Sequence, residues 1–270
     1  MNVAGLRLSV TLLTVIPWRP RPDEVPAAPS RADASAAMTS APAIGLLLGS
    51  IAAAVLFVAD HPLGAGPLTA ACLATGSLAM LTRGLHLDGL ADLADGLASG
   101  KPAPAALDIM RKPDIGPLGT VTLIMTLLLQ VAALSQAESA GSGRGPAALI
   151  AATVTSRLAL TWACRRGVPA ARPDGLGALV AGSVRPAVPA AATALTLAAA
   201  TAAVVISATA GGHPLGWTLP LAVAAGLGAA LAVQRHAVRR LGGITGDVLG
   251  ALTEIAATVT LVVAAMGPAA

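Results

Sequence analysis

Charged and aromatic side chains are scarce in this 270-residue sequence. Charged residues make up 11% of it and hydrophobic residues 55%, with a mean hydropathy of +0.77, whereas a soluble domain carries about 25% charged residues. The low charge argues against a soluble enzyme, and the high hydrophobicity excludes a disordered chain. Three Trp, one Phe and no Tyr leave almost no ring on which a base could stack. We therefore exclude nucleic acid as a partner, although the net charge is +4.

Cysteine is equally rare. Cys72 and Cys164 lie far apart in separate apolar stretches, so they form neither a metal-binding spacing nor a disulfide framework. We interpret both as packing residues.

Long apolar runs are what the sequence has in abundance. Because a helix needs about 20 mostly apolar residues to cross a bilayer, we predict an all-α, polytopic integral membrane bundle with about seven transmembrane helices. The predicted spans are residues 36–58, 66–82, 116–136, 146–163, 187–210, 216–234 and 248–267. Residues 1–35 are predicted to form a short interfacial helix followed by a Pro- and Arg-rich linker. The whole chain, 1–270, is interpreted as a single membrane domain.

Basic residues indicate how the chain is oriented. If the N-terminus faces the cytoplasm, 15 of the 17 Lys and Arg residues fall on the inner side. Of the other two, Arg144 lies in an outer connection and Arg157 within the fourth predicted span. Since cytoplasmic loops carry an excess of Lys and Arg, this asymmetry predicts a cytoplasmic N-terminus.

Acidic residues cluster directly after the second predicted span. Asp88, Asp92 and Asp95 are spaced i, i+4 and i+7, which places them on one face of a helix. Each close pair of carboxylates costs about 3 kcal/mol at an effective dielectric of ~20, so the stripe favours either protonation or a bound cation. Oxygen-only ligands without cysteine favour Mg²⁺. The alternative is a solvated acidic face.

A second polar set precedes the last predicted span. Gly243, Thr245 and Gly246 belong to a glycine-rich turn, which can offer backbone N–H groups to a phosphate. Asp247 follows, and Glu254 lies seven residues later on the same helical face. A carboxylate inside the membrane is a functional candidate, so both join the predicted metal ligands. The alternative for Glu254 is a bond to a neighbouring helix.

Several basic and imidazole side chains are candidate substrate contacts. For three of them a structural alternative stays open: Arg83 as a membrane anchor, His86 as a buried hydrogen-bonding residue, and Arg172 as a lipid-headgroup anchor rather than a diphosphate clamp. The predicted substrate-binding set is Arg83, His86, Arg111, Arg157, Arg172, Gly243, Thr245 and Gly246.

The acidic stretch Arg83-Gly-Leu-His-Leu-Asp-Gly-Leu-Ala-Asp-Leu-Ala-Asp-Gly96 resembles the signature of the cobalamin synthase family, the adenosylcobinamide-GDP ribazoletransferases. Three further stretches are similar to that family in the same order along the chain: residues 109–119, residues 172–177, and residues 242–247 with Glu254. The resemblance covers nearly the whole chain.

The resemblance implies a bacterial plasma-membrane enzyme with its active site on the cytoplasmic side. It would join α-ribazole, or its 5′-phosphate, to adenosylcobinamide-GDP with Mg²⁺ and release GMP, completing cobalamin biosynthesis. Asp88, Asp92 and Asp95 would then be catalytic, as ligands or as the base, and which of them is the base stays open. Membrane lipid, a second copy of the chain and other cobalamin assembly enzymes are its expected partners.

Two other functions fit part of the sequence. A CDP-alcohol phosphotransferase also uses spaced aspartates on membrane helices, but its motif has Ala-Arg where Ala91 is followed by Asp92 here. An ion-coupled transporter would place carboxylates near mid-membrane in two related halves, and no such half-repeat is visible.

Overall fold

The fold is helical, as predicted. The computed structural model describes residues 3–18, 28–141, 143–209 and 215–266, and within these ranges the only β pairing consists of two isolated bridges. Eleven helices follow one another there: α1 (Val3–Leu13), α2 (Arg31–Asp60), α3 (Pro67–Leu81), α4 (Leu85–Ala98), α5 (Ala103–Ile109), α6 (Pro117–Ser139), α7 (Arg144–Ala163), α8 (Gly175–Val180), α9 (Ala187–Thr209), α10 (Thr218–Leu241) and α11 (Gly246–Ala265).

Five of these helices are long and apolar enough to cross a membrane: α2, α6, α9, α10 and α11. Helices α3 and α4 would form a sixth span together, but they meet at an angle of 87°. The chain is therefore an integral membrane protein, and the predicted count of seven is not confirmed. Helix α3 has only 15 residues, and α7 carries buried Arg157 together with several buried hydroxyl side chains, so neither qualifies alone.

The N-terminal region agrees with the sequence in part. Helix α1 is a short apolar helix. The predicted linker extends to residue 35, and this C-terminal bound is wrong because α2 already begins at Arg31. Ser30 and Asp33 form a capping box that starts the helix there, as this pairing does in many proteins. Residues 19–27 of the predicted linker lie outside the described part of the chain.

Small residues allow the helices to pack closely. A Cβ at Gly45 or Gly49 of α2 would collide with Thr153 of α7, and one at Gly226 of α10 would collide with Thr260 of α11. Interfaces of this kind are typical of membrane bundles, where close backbone approach replaces hydrophobic burial as the source of stability. They bring α7 and α11 into the middle of the bundle.

Non-spanning segments gather at one end of the bundle, where α2 begins and α10 ends. Helices α4, α5 and α8 lie here. The 169–171 segment pairs with the turn after α10, since Ile244 N donates to Pro169 O at 2.9 Å and Ala171 N donates to Ile244 O at 3.0 Å. This end holds the predicted acidic cluster.

Candidate active site

A sharp turn sets the direction of the acidic helix α4. Arg83 and Gly84, between α3 and α4, both adopt left-handed backbone conformations, with φ of 57° and 65°. The Arg83 guanidinium reaches back and donates through Nη2 to the carbonyl oxygen of Thr11 at 3.0 Å. Arg83 therefore ties α1 to the turn. Helix α4, which follows the turn, is not among the five spans.

Two glycines let α4 and α11 touch backbone to backbone. A Cβ at Gly89 would lie 2.8 Å from the Asp247 carbonyl oxygen, and one at Gly250 would lie 3.2 Å from the His86 Cα. This crossing brings the first turn of α11, with Asp247, beside the carboxylates of α4. The two polar regions that the sequence analysis identified separately thus form one site.

Negative charge is concentrated at the crossing. Burial raises the pKa of Asp92 to about 6, helped by the charges of Asp88, Asp247 and Asp95 and opposed by Arg172. Asp88 is exposed and Asp92 is half-buried. The three carboxylates of Asp88, Asp92 and Asp247 form an oxygen-only donor set that Arg172 compensates only in part, which suits Mg²⁺.

The carboxylates do not form a compact cage. Among the described residues, the only group of three acidic, His or Cys ligand atoms that all lie within 4.8 Å of one another is at Asp60, His61 and Glu138, far from the crossing. A wider arrangement still fits Mg²⁺, because this ion keeps several waters and takes one or two carboxylates together with substrate phosphates.

Asp95 points elsewhere. Its Oδ2 accepts the N–H of Gly116 at 2.7 Å and its Oδ1 accepts the N–H of Gly119 at 2.9 Å. These groups belong to the start of α6, so Asp95 caps that helix, where negative charge is favoured. A Cβ at Gly116 would lie 2.5 Å from Oδ1 of Asp95, and one at Gly119 would also collide with the carboxylate. Gly116 and Gly119, in the family-like stretch 109–119, therefore form the binding site for Asp95.

Two arginines border the carboxylates. Arg172 donates through Nη2 to the Leu107 carbonyl at 2.6 Å, and its Nη1 lies 3.9 Å from Asp247 Oδ2. Its buried Nε has no hydrogen-bond partner. Exposed Arg111 pairs with Asp174 at 3.1 Å. Both cations lie close enough to Asp247 to interact with it electrostatically, and Arg172 offers an unused donor.

The glycine-rich turn is held by neighbouring backbone. A Cβ at Gly243 would collide with the 169–171 segment, and one at Gly246 would meet only Leu176, at 3.7 Å. Thr245 is the N-cap of α11, where its Oγ1 accepts the N–H of Val248 and donates to Asp247 Oδ2, both at 3.2 Å. Thr245 thus orients Asp247.

Glu254 and Arg157 lie around a second, smaller cavity. Glu254 accepts a hydrogen bond from Gln130 Nε2 at 2.9 Å, and Arg157 donates to Ser156 Oγ at 2.8 Å while its Nε has no partner. Both line a cavity of about 40 Å³. The structure thus joins Glu254 to α6, the neighbouring helix, and separates it from the carboxylates at the crossing.

His86 lies between the two regions. It is buried, and its Nδ1 has no hydrogen-bond partner. Burial, with a contribution from the Arg157 charge, holds the pKa of His86 well below its usual range. His86 is therefore neutral at physiological pH.

A larger cavity opens beside the carboxylates. It has a volume of about 370 Å³, and Asp88, His86 and Asp247 form its polar side. The opposite side is apolar and comes from α1, α2, α7, α8 and α11: Leu12, Leu13, Met38, Leu160, Leu176 and Leu249. This combination suits a ligand with a charged group and an apolar body.

Sequence reasoning missed three participants. Asp174 pairs with Arg111, Gln130 binds Glu254, and Gly116 receives Asp95. Gly116 and Asp174 carried a signal, since they lie in the stretches 109–119 and 172–177 that resemble the family, but neither partner could be read from the sequence. Gln130 is a single polar residue between apolar neighbours in α6, and its partner Glu254 lies 124 positions away.

Comparison with known proteins gives a consistent result. The model of a family described as "CobS: Cobalamin-5-phosphate synthase" matches residues 5–265. The adenosylcobinamide-GDP ribazoletransferase of Frankia casuarinae is 44% identical over 96% of this chain and 94% of its own length. Those of a Nocardioides species and of Bradyrhizobium diazoefficiens are each 36% identical, over 94% and 97% of this chain and 95% and 94% of their own lengths. No solved structure matches the chain.

Proposed function

The chain belongs to the cobalamin-5-phosphate synthase family, and on this premise we propose that it is a membrane-embedded adenosylcobinamide-GDP ribazoletransferase. It joins α-ribazole, or its 5′-phosphate, to adenosylcobinamide-GDP in the final steps of cobalamin biosynthesis. The observation that carries the proposal is the cluster of the Asp88, Asp92 and Asp247 carboxylates beside Arg172, of which Asp88 and Asp247 line a half-apolar cavity.

The reaction breaks the phosphoanhydride bond of the diphosphate and forms a new phosphate ester. The ribazole hydroxyl oxygen attacks the phosphorus that is bonded to cobinamide, a new P–O bond forms, and the P–O bond to GMP breaks. The hydroxyl proton passes to a carboxylate, and GMP leaves with the electron pair of the broken bond. In transfers of this kind, catalysis consists mostly of positioning and of stabilising charge.

The acidic residues at the crossing fit Mg²⁺. Asp88, Asp92 and Asp247 would hold it, and the ion would neutralise the diphosphate and the departing GMP. Arg172 contributes a fixed positive charge and an unpaired buried Nε beside this group, which suits contact with a phosphate oxygen. The Arg111–Asp174 pair is exposed and can open to let Arg111 meet the nucleotide.

The chain's own residues also orient the reactants. Thr245 holds Asp247 by a hydrogen bond, and neutral His86 lines the cavity wall without repelling a cation. Of the α4 carboxylates, Asp88 and Asp92 have no hydrogen bond that occupies them among the described residues, which favours them over Asp95 for accepting the hydroxyl proton. Asp95 fixes α4 against α6.

The orientation in the membrane follows from the same end of the bundle. Arg31 bonds to Ala181, Arg240 to Lys101 and Arg172 to Leu107, so basic residues collect around the proposed site. The positive-inside rule supports a cytoplasmic active site, which in a bacterium means the cytoplasmic face of the plasma membrane. Self-association and contacts with other cobalamin assembly enzymes stay predictions.

The deciding experiment uses detergent-purified protein with adenosylcobinamide-GDP, α-ribazole and Mg²⁺, and follows GMP and adenosylcobalamin by chromatography. We expect Mg²⁺-dependent formation of both products, lost in Asp88→Asn and kept in the matched control Asp108→Asn, which changes an exposed aspartate of α5. Full turnover by Asp88→Asn would refute the proposed metal site. Absence of product from folded wild-type protein would refute the proposed reaction and direct the search to CDP-alcohol donors and then to transport.

A further inference from the structure

A second group of metal-ligating side chains lies at the opposite end of the bundle. Helix α2 has 30 residues, so its ends are about 45 Å apart. Asp60 and His61 stand where α2 ends, next to Glu138 in the last turn of α6. One ligand atom from each of the three lies within 4.8 Å of the others. The proposed function uses none of these residues.

The Glu138 carboxylate is the reason to expect a ligand here. Its side chain is only 4% exposed, and within the described residues no group donates a hydrogen bond to it. Its Oε2 packs against Gly145, where a Cβ would collide with it. A buried carboxylate without donors needs a cation or a proton to compensate for the loss of water.

The imidazole faces both carboxylates. His61 Nδ1 lies 3.9 Å from Asp60 Oδ2 and 3.9 Å from Glu138 Oε1. The His61 ring is stacked on Phe57 with centroids 4.6 Å apart, which holds Nδ1 in this direction. A cavity of about 350 Å³ adjoins the three side chains and has room for water ligands.

We infer that Asp60, His61 and Glu138 bind a divalent transition-metal ion of the Zn²⁺ class. Two carboxylates and one imidazole suit Zn²⁺ better than Mg²⁺, which prefers oxygen ligands alone. Tetrahedral ligands about 2.1 Å from Zn²⁺ lie about 3.4 Å from one another, so the two 3.9 Å separations from His61 Nδ1 need to shrink by about 0.5 Å, while the two carboxylates start within 4.8 Å of each other. The site is distinct from the one at the crossing, where all acidic ligands are aspartates.

Such an ion would join two helix ends. Asp60 and His61 belong to the end of α2, and Glu138 to the end of α6, so the metal would cross-link them on the face remote from the carboxylates of α4. Because it binds only the folded arrangement, it would stabilise the bundle by mass action.

Zinc binding tests the inference directly. The full-length protein in detergent is stripped with EDTA, exchanged into buffer with millimolar Mg²⁺ to occupy all-carboxylate sites, and titrated with ZnCl₂ by calorimetry. We expect one Zn²⁺ per chain for the wild type, and at least tenfold weaker binding for His61→Ala and for Glu138→Gln. His236→Ala removes another exposed histidine, on α10, and should bind as the wild type does.

Thermal stability supplies the second measurement. Zn²⁺ should raise the apparent Tm of the wild type and of His236→Ala but not that of His61→Ala, while Mg²⁺-dependent transfer activity stays the same in all three. No Zn²⁺ binding by the wild type, or equal affinity in His61→Ala, would overturn the inference. Neither result depends on the transferase reaction.

Discussion

Replacing Asp95 tests whether its carboxylate caps helix α6 or takes part in catalysis. The side chain accepts two backbone N–H groups at the start of α6, and hydrogen bonds to a charged group contribute about 1.5–3 kcal/mol each. Asp95→Ala should therefore destabilise the fold by about 3–6 kcal/mol. Asp95→Asn keeps one acceptor oxygen and should cost about 2 kcal/mol.

The corresponding loss of apparent Tm is about 4–8 °C for Asp95→Asn, at about 2–4 °C per kcal/mol for a chain of this size. Assayed well below that temperature, Asp95→Asn should still produce adenosylcobalamin at a measurable rate. Asp88→Asn is the matched comparison, since Asp88 is exposed on the same helix. It should lose turnover and keep its Tm.

The assay needs both a melting curve and a product measurement on the same preparations. An Asp95→Asn protein with a wild-type Tm and no turnover would refute the capping argument. It would restore the catalytic role that the spacing of the three aspartates predicts.

Three further outcomes follow from the site. Gly89→Ala should lower kcat at least tenfold, because the new Cβ would lie 2.8 Å from Asp247 O. The control Gly76→Ala, in open space on α3, should match the wild type. Equal rates for the two variants would contradict the close crossing of α4 and α11. The Mg²⁺ concentration for half-maximal activity should rise as the pH falls below about 6. Burial raises the pKa of Asp92 to about 6, so below that pH a proton competes with the ion for this carboxylate. A half-maximal Mg²⁺ concentration that stayed the same from pH 7.5 to 5.5 would exclude Asp92 as a ligand. Arg172→Lys should raise the KM for adenosylcobinamide-GDP about tenfold, because a lysine cannot bind Leu107 O and a phosphate at the same time as the planar guanidinium can. The exposed control Arg166→Lys should leave KM unchanged. If steady-state kinetics showed a constant KM for Arg172→Lys while only its Tm fell, the role of Arg172 would be structural.

The helical pattern of the acidic motif was predictable, and the partner of each aspartate was not. Spacing alone places Asp88, Asp92 and Asp95 on one face of a helix. It does not reveal that α6 begins beside the last of them, because Gly116 follows Asp95 by 21 residues and only tertiary packing joins them. The glycines at 116 and 119 were visible as a motif, but their purpose depends on that packing.

Glu254 illustrates a second reason why the sequence falls short. It shares a helical face with Asp247, but seven residues along a helix correspond to about 10 Å. That distance takes Glu254 past the crossing with α4 to the level of Gln130 and Arg157. A shared face therefore did not mean a shared site.

The predicted number of spans is not confirmed, for a similar physical reason. Helix α7 has 20 residues, the same length as α11, but Arg157 and several hydroxyl side chains make it less apolar, and these side chains are buried among other helices. Helix α3 ends at a turn whose angle depends on two left-handed residues, Arg83 and Gly84. Apolar length reports neither of these arrangements.

The left-handed conformation of Arg83 has a consequence for how this turn can vary. A residue with a Cβ in that conformation costs about 1–2 kcal/mol relative to its relaxed state, and glycine would avoid this cost. Glycine, however, would lose the reach from the turn to Thr11 O. Arg83 thus accepts a strained backbone and in return bonds to a residue 72 positions away in the chain. An Arg83→Gly variant would relieve the strain but would attach α1 less firmly to the turn.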